Sequence, residues 1–561
     1  MTTDSVTQPG ATKLEQQPSW PGLQAAAARL RGQRMRDWFD HPETGEARAK
    51  AMSLDAAGLF LDYSKNLIDA PTMAQLFALA REAGLEAMRD AMLGGAKLNA
   101  SEGRPALHVA LRKLDEAPLE VDGVDVMPAV RASWKKMAAF AAALRSGAWR
   151  GATGAPITDI VHIGIGGSDF GPRLVTDALA HLPEARFRLH FVANVDGAEL
   201  ERALSGLQPE STLAVISSKT FTTLETMTNA ASLKHWLLAG GVPEASLDRH
   251  LIATTALPEN ALKFGIAADN VFEFQDWVGG RFSLWSPVGL TIMLQFGAAH
   301  FEELLAGAYA MDEHFARAPL ESNMPVILAL LGLWYRNFLD ARSCCVVPYA
   351  QRLEWLPGWM QQLDMESNGK AVNARGEPVV GLATAPVIWG QPGTNGQHAF
   401  FQWLHQSAEF APVDFIAAIA PAHSLKGAQA PRHQAALLAS CLAQSQALMR
   451  GQTLAEAMRG GKPEETARHS VFAGNRPSNT LLLPRLDPYS LGALLALYEH
   501  KVVCQGLLWG LNPFDQWGVE LGKTLAAPLM RALGSAAELE GEAAKQDAST
   551  AMLLRRIAGK H

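Results

Sequence analysis

From Ile157 onward, short apolar runs alternate with helical patterns, and this alternation limits the fold more than any other feature of the sequence. "ITDIVHIGIGG" reads as a buried strand entering a turn, and "RLVTDALAHL" as the helix after it. "RFRLHFVANV" is a second strand, "AELERALSGL" a helix, and "TLAVISS" a third strand leading into "TNAASLKHWLLAGG". "HLIATTA" and "NVFEFQDW" complete the series. Strands joined through helices run parallel, with helices packed on both faces of the sheet. A long helical stretch from about Leu290 to Asp340 separates this from a second series. There "RSCCVVPYA", "VVGLATAPVIWG" and "VDFIAAIAP" read as strands. Between them, "RLEWLPGWMQQLDMESNGK" reads as a helix running into a loop and "GQHAFFQWLHQ" as a helix. The pattern predicts an α/β protein with two doubly wound parallel sheets in tandem, although no direct sequence repeat is visible. Before them, from Gly22 to about Arg145, apolar residues recur at three- and four-residue spacing with no strong strand. The end, "GEAAKQDASTAMLLRRIAGKH", reads as a loop and a basic terminal helix.

A chain of 561 residues is too long for one core, which agrees with two or three domains. Its net charge of -7 argues against a nucleic-acid partner, which would favour a basic face. A local basic pocket for a small anion stays open, because net charge says nothing about single sites. The four cysteines, Cys344, Cys345, Cys441 and Cys504, form no C-x-x-C pair, so reduced thiols in a cytoplasmic protein are expected. No H-E-x-x-H or Cys/His cluster offers a metal site, and neither a metal nor a cofactor is expected. The opening "MTTDSVTQPGATKLEQQPSW" lacks the features of a signal peptide and reads as a polar, frayed tail. "MPVILALLGLWY" is too short to span a bilayer, so no membrane association is expected.

"HIGIGGSDFGP", His162 to Pro172, places a glycine-rich turn between strand and helix, where backbone comes close to an anion. A dinucleotide fingerprint from Gly164 would need a third glycine where Asp169 stands, and no Gly-Lys pair makes a P-loop. In "ISSKTFTTLET", Ser217, Ser218, Lys219, Thr220, Thr222 and Thr223 follow a strand directly. Hydroxyls, N–H groups and a lysine at a helix start can cradle a phosphate dianion. An ordinary N-cap is the alternative, but five hydroxyls within seven residues exceed what a cap needs. Four further residues each have a plainer reading. Arg281, after a double glycine in "DWVGGRFSLWSPVGL", could be a structural ion pair, and Glu366 in "QQLDMESNGK" a solvated carboxylate rather than a base. His398 in "GTNGQHAFFQWLHQ", near a helix start, could be a capping or core histidine. Lys523, with Gln516 and Glu520 in "NPFDQWGVELGK", could be a surface residue. Together they supply a phosphate cradle, a carboxylate, a histidine, an arginine and a lysine, a set suited to proton transfer on a phosphorylated sugar.

Over nearly its whole length the chain resembles the glucose-6-phosphate isomerase (phosphoglucose isomerase) family. "IGIGGSDFGP", "SSKTFTTLET", "DWVGGRFSLWSPVGL", "DMESNGK", "GTNGQHAF" and "NPFDQWGVELGK" resemble family motifs in the family's order. "SEGRPALHVALR" also matches, with no chemical role evident. Gln275 and Leu363 depart from the aromatic residue and the glycine often found at those places. The resemblance implies two sugar-isomerase (SIS) domains, at 121–290 and 291–510, behind a helical region at 1–120 and before a C-terminal arm at 511–561. It implies reversible conversion of glucose 6-phosphate to fructose 6-phosphate through a cis-enediol. By matching motif, Ser218, Lys219, Thr220 and Thr223 would hold the phosphate, and Gly167 and Ser168 would line the sugar site. Glu366 would be the base and Arg281 would stabilise the enediolate. His398 with Lys523 would open the ring, and Gln362 and Gln516 would hydrogen-bond the substrate. A homodimer is implied in which His398 completes the other subunit's site. A non-catalytic sugar-phosphate sensor would have no use for the base, arginine and histidine together, and mannose 6-phosphate stands as a second substrate to test.

Overall fold

In a computed structural model that describes residues 13–427 and 429–559, the chain divides after Pro513 into a large unit and a small C-terminal one. Residues 1–12 of the polar tail lie outside the described residues. The remainder of that tail is packed rather than frayed. Leu14 and Trp20 are buried, and the Ser19 amide and hydroxyl both donate to Glu82, at 3.0 and 2.7 Å.

The N-terminal region is not wholly helical either. Strands β1 (Ser53–Ala56) and β2 (Leu59–Asp62) pair antiparallel as a hairpin. Ala57 and Gly58 join them with φ of 47° and 77°, the doubly left-handed turn that two-residue hairpins favour because its twist matches that of the strands. Leu59 and Leu61 are buried while Phe60 and Asp62 are half-buried. Four residues give too few periods for this alternation to stand out beside the flanking helical pattern. A second short hairpin joins β3 (Glu120–Val121) to β4 (Val124–Asp125).

The first large sheet holds β5 (Asp159–Ile163), β6 (Arg188–Val192), β7 (Thr212–Ser217), β8 (Leu251–Thr255) and β9 (Val271–Glu273). All are parallel, in the order β6-β5-β7-β8-β9. Every residue of β5, β7 and β8 is buried, as strands covered by helices on both faces require.

The second sheet holds β10 (Ser343–Tyr349), β11 (Val387–Trp389), β12 (Val413–Ala418) and β13 (Ser478–Leu483), parallel in the order β11-β10-β12-β13. This repeats the 2-1-3-4 order of the first sheet. The fifth place is taken by β2, which pairs antiparallel with β13 in the register Leu481 to Leu61. The N-terminal hairpin thus covers an edge that would otherwise offer unpaired backbone groups. In each sheet the strand order reverses between the first and third strands of the unit, and sheets of this kind hold ligands beyond the carboxyl ends at that place.

Helices Ala298–Arg317, Met324–Phe338 and Pro488–Leu508 pack together, and the last is buried at every position except Tyr489. Among the described residues, no helix is long and apolar enough to cross a membrane. The C-terminal unit contains helices Glu520–Gly534, Ala536–Ala543 and Ala548–Ile557 around Ala532, Leu539, Ala543, Ala551 and Leu554. Asp547 starts its last helix by accepting from the Ser549 and Thr550 amides at 3.0 Å, satisfying donors that helix ends leave open.

Candidate active site

Beyond β5 the chain makes one 3-10 turn, Gly166–Ser168, before helix Phe170–Ala178. Gly166 has a φ of 60°, and a Cβ there would lie 2.9 Å from Gln362 Nε2. A Cβ on Gly167 would lie 1.9 Å from the Gly280 carbonyl oxygen. The turn can rest against the 3-10 helix Gly280–Trp285 only because position 167 has no side chain. His162, buried within β5, holds the turn from below: its Nε2 meets the Ser168 carbonyl at 2.7 Å and its Nδ1 the Thr291 hydroxyl at 2.8 Å. Burial pushes the imidazole down to about 4. His162 is therefore neutral near pH 7, and with a carbonyl at Nε2 the proton sits on that nitrogen.

Beyond β7 lies the hydroxyl-rich loop. Thr223 occupies the N-cap position of helix Leu224–Ala239, yet its side chain does not bond the first-turn amides. Its hydroxyl lies 3.2 Å from that of Ser218, and those of Thr220 and Thr222 are 2.7 Å apart. The plain capping role is thus not filled. Phe221, between these groups, is buried with a φ of 53°, a left-handed conformation unusual for a bulky residue and of the kind that gathers at binding loops. Lys219 Nζ donates to the Asp276 carbonyl at 2.7 Å. Its pKa is lowered, first by burial and then by the Arg104 guanidinium.

Glu366 arrives from the second sheet. After β10, helix Leu356–Met360 widens into a π-helix, Gln361–Glu366, where a continuous helix running into a loop was expected. Such wide turns recur at functional sites because they re-aim the side chains they carry. Glu366 Oε2 accepts from Arg281 Nη1 at 3.3 Å and from Gln362 Nε2 at 3.2 Å. Arg281 is buried and also donates from Nε to Ser367 Oγ and from Nη2 to the Pro513 carbonyl, both at 2.6 Å. Beneath the π-helix, Asp364 pairs with Lys501 at 3.4 Å, and the attraction of that carboxylate raises the Lys501 pKa despite burial.

The fold therefore brings Gly167, Gln362, Glu366 and Arg281 together, with Ser168 completing the glycine turn. Ser218, Lys219, Thr220 and Thr223 are gathered one loop away, joined to the Arg281 segment through Asp276. His398 is not in this group. It comes after the short helix Gly393–Gln397 instead of opening a helix, its side chain is exposed, and it makes no side-chain hydrogen bond or ion pair to the described residues. Gln516 and Lys523 belong to the C-terminal unit, where Lys523 Nζ pairs with Glu520 at 2.9 Å. Among the described residues no group of three or more His, Cys, Asp and Glu side chains is placed to hold a metal ion.

Sequence reasoning missed Asp276 and Ser367. Asp276 acts through its carbonyl, which residue type does not reveal. Ser367 stands beside Glu366 in "DMESNGK", and its place there was the one available signal.

Residues 62–554 match the family profile described as phosphoglucose isomerase. A glucose-6-phosphate isomerase of Cupriavidus metallidurans is 53% identical over 541 residues, covering 96% of this chain and 97% of its own length. One from Burkholderia orbicola is 52% identical over 548 residues, covering 97% and 98%. The crystal structure of a glucose-6-phosphate isomerase from Chlamydia trachomatis superposes with a TM-score of 0.83 at 31% identity, over 93% of this chain and 97% of that one. The chain belongs to the phosphoglucose isomerase family.

Proposed function

We propose that this chain interconverts glucose 6-phosphate and fructose 6-phosphate, and that the two sheets divide the work. Ser218, Lys219, Thr220 and Thr223 hold the phosphate at the start of helix Leu224–Ala239, where the uncapped amides and the helix dipole favour an anion. Gly167 and Ser168 lie along the sugar. His398 and Lys523 open the ring, one delivering a proton to the ring oxygen as O1 loses its own. Glu366 then takes the proton from C2 of the open aldose, and the bond electrons form a C1–C2 double bond as the aldehyde oxygen becomes enediolate. Arg281 stabilises that negative oxygen, a charge that exists only near the transition state. The O2 proton passes to O1 as C2–O2 becomes a carbonyl, and the C1–C2 double-bond electrons take the proton back from Glu366 at C1, which gives the ketose and frees the carboxylate. Gln362 and Gln516 hydrogen-bond the substrate.

One observation carries this reading: the Glu366 carboxylate is held by Arg281 and Gln362, and Gln362 itself lies against the glycine turn at Gly166. A sensor would need the cradle without this reactive pair. A coupled assay with fructose 6-phosphate tests it directly. Formation of glucose 6-phosphate supports the reading, and binding without turnover would leave only the sensor.

His398, exposed and without a side-chain partner among the described residues, supports a homodimer in which each site borrows this residue from a second copy of the chain. Mixing Glu366→Gln with His398→Ala should restore activity after subunit exchange, toward about a quarter of wild type, since about half the dimers are mixed and each holds one intact site. No recovery despite demonstrated exchange would refute the shared site. The four free thiols support a reducing, cytoplasmic setting.

A further inference from the structure

"SEGRPALHVALR" has no part in the mechanism above, yet it enters a buried cluster of charged side chains. Its residues His108–Arg112 form a 3-10 helix that is buried throughout. Arg112 is 0% exposed and grips Asp312 with two hydrogen bonds, from Nε at 2.8 Å and Nη2 at 2.7 Å. Its Nη1 donates to Glu499 Oε2. Glu499 in turn accepts from Trp285 Nε1 at 3.0 Å, and the Arg112 guanidinium sits 4.7 Å from the centre of the Trp285 ring. His500 closes the cluster on Asp312 at 2.6 Å, and His108 stacks on Phe282 with ring centres 4.6 Å apart.

Phe282 and Trp285 belong to Gly280–Trp285, the 3-10 helix that carries Arg281. A 3-10 helix of six residues has poor hydrogen-bond geometry and little stability of its own, so its neighbours set its place. One end rests against the glycine turn, where the Ser283 hydroxyl reaches the Gly167 carbonyl at 3.3 Å. His108 packs against Phe282 within the helix, and Arg112 and Glu499 hold Trp285 at its far end. Stability alone is a weak reason for so much buried charge, because well-packed apolar residues often serve as well or better. The paired groups of Arg112, Asp312, Glu499 and Trp285 do fix one geometry, while His108 Nε2 and His500 Nδ1 are buried with no partner among the described residues.

We infer that Arg112 is a positioning residue for the isomerisation, acting through Glu499 and Trp285 to hold the Arg281-bearing helix in register with Glu366. The inference rests on the role proposed above for Arg281. Misplacing Arg281 should weaken the interaction made only in the transition state, so kcat should suffer and KM should not.

The test is a double-mutant cycle on the full-length enzyme, with kcat and KM measured for fructose 6-phosphate. Arg112→Lys, which keeps the charge but loses the two-pronged grip, should lower kcat by about tenfold or more with KM within about threefold. In an Arg281→Lys background the same change should lower kcat by less than about twofold, because the group it positions is already gone. If Arg112→Lys does not fold, Glu499→Gln, close in shape and still an acceptor for Trp285, is judged by the same criteria. Equal fold-losses in both backgrounds, or no loss of kcat from the single variant, would overturn the inference while leaving the Arg281 role standing. An Arg281→Lys enzyme with undiminished kcat would instead overturn the Arg281 assignment, and this inference with it.

Discussion

The two sheets share a strand order and differ in the loops beyond their strands. After β5 and β7 come Gly166, Gly167, Ser168 and then the hydroxyls of Ser218, Thr220, Thr222 and Thr223 with Lys219, all suited to an anion. After β10 and β12 the corresponding crevice is a cavity of about 400 Å³ lined by Asp177, Arg352, Glu354, His423 and Gln434 among others. Its arginine is engaged, donating from Nε to the Ala422 carbonyl at 2.8 Å. Burial, with Glu354 alongside, pushes Asp177 up to about 6. A place that already resists one negative charge is a poor one for a phosphate dianion. The second sheet contributes to the proposed active site differently, by sending the helix after β10 across to bring Glu366 to Arg281. Topology offers the same crevice twice, and loop chemistry makes the first the better place for an anion.

Glu366→Gln gives the largest contrast. It should lower kcat by about a thousandfold or more while the affinity for fructose 6-phosphate, measured by calorimetry, changes little, because the base acts only on the way to the transition state. A variant keeping about a tenth of wild-type kcat, a barrier change of only ~1.4 kcal/mol, would be too active for that role.

A smaller effect is expected at the cradle, and it compares the two crevices head to head. Lys219→Ala should raise KM by about tenfold or more and reduce kcat less, since the phosphate does not react and its contacts are similar in ground and transition states. Arg352→Ala, in the crevice of the second sheet, should leave kcat/KM within about twofold. If Arg352→Ala weakens substrate binding as much as Lys219→Ala, the crevices have been assigned the wrong way round.

The smallest effect is one of stability. His162 has a pKa of about 4 in the fold against an ordinary value of 6.5. As pH falls, the unfolded chain takes up this proton first. The stability that neutral His162 contributes is therefore whole above about pH 6.5 and is lost between there and pH 4, to a total of about 3 kcal/mol. β10 ends at Tyr349 with no histidine under its turn, so this acid sensitivity belongs to the first sheet. His162→Asn should fall less in melting temperature between pH 7 and pH 4.5 than wild type does. An identical fall would mean that other groups set the acid limit.

Much of this was legible because it depends on local pattern. Strands buried on both faces appear as apolar runs, so β5, β7, β8, β10 and β12 were all placed, and the hydroxyl-rich loop stood out by composition. What escaped depends on partners distant in sequence. The hairpin at 53–62 is strand because β13 receives it. The π-turn before Glu366 differs from an α-turn by one extra residue, which side-chain periodicity does not register. The grip of Asp276 on Lys219 uses a carbonyl that every residue carries. Arg112, Asp312 and Glu499 stand at separations that only the packing of three helical segments brings together.

The division of labour between the sheets is tested most directly by solvent deuterium. With substrate saturating in D₂O, proton exchange at C1 and C2 reports abstraction itself, apart from binding. Lys219→Ala should incorporate deuterium at a rate within about tenfold of wild type once saturated, while Glu366→Gln, though it binds substrate, should incorporate none above the uncatalysed background. Deuterium entering at an undiminished rate in Glu366→Gln, or lost in saturated Lys219→Ala alone, would contradict the account.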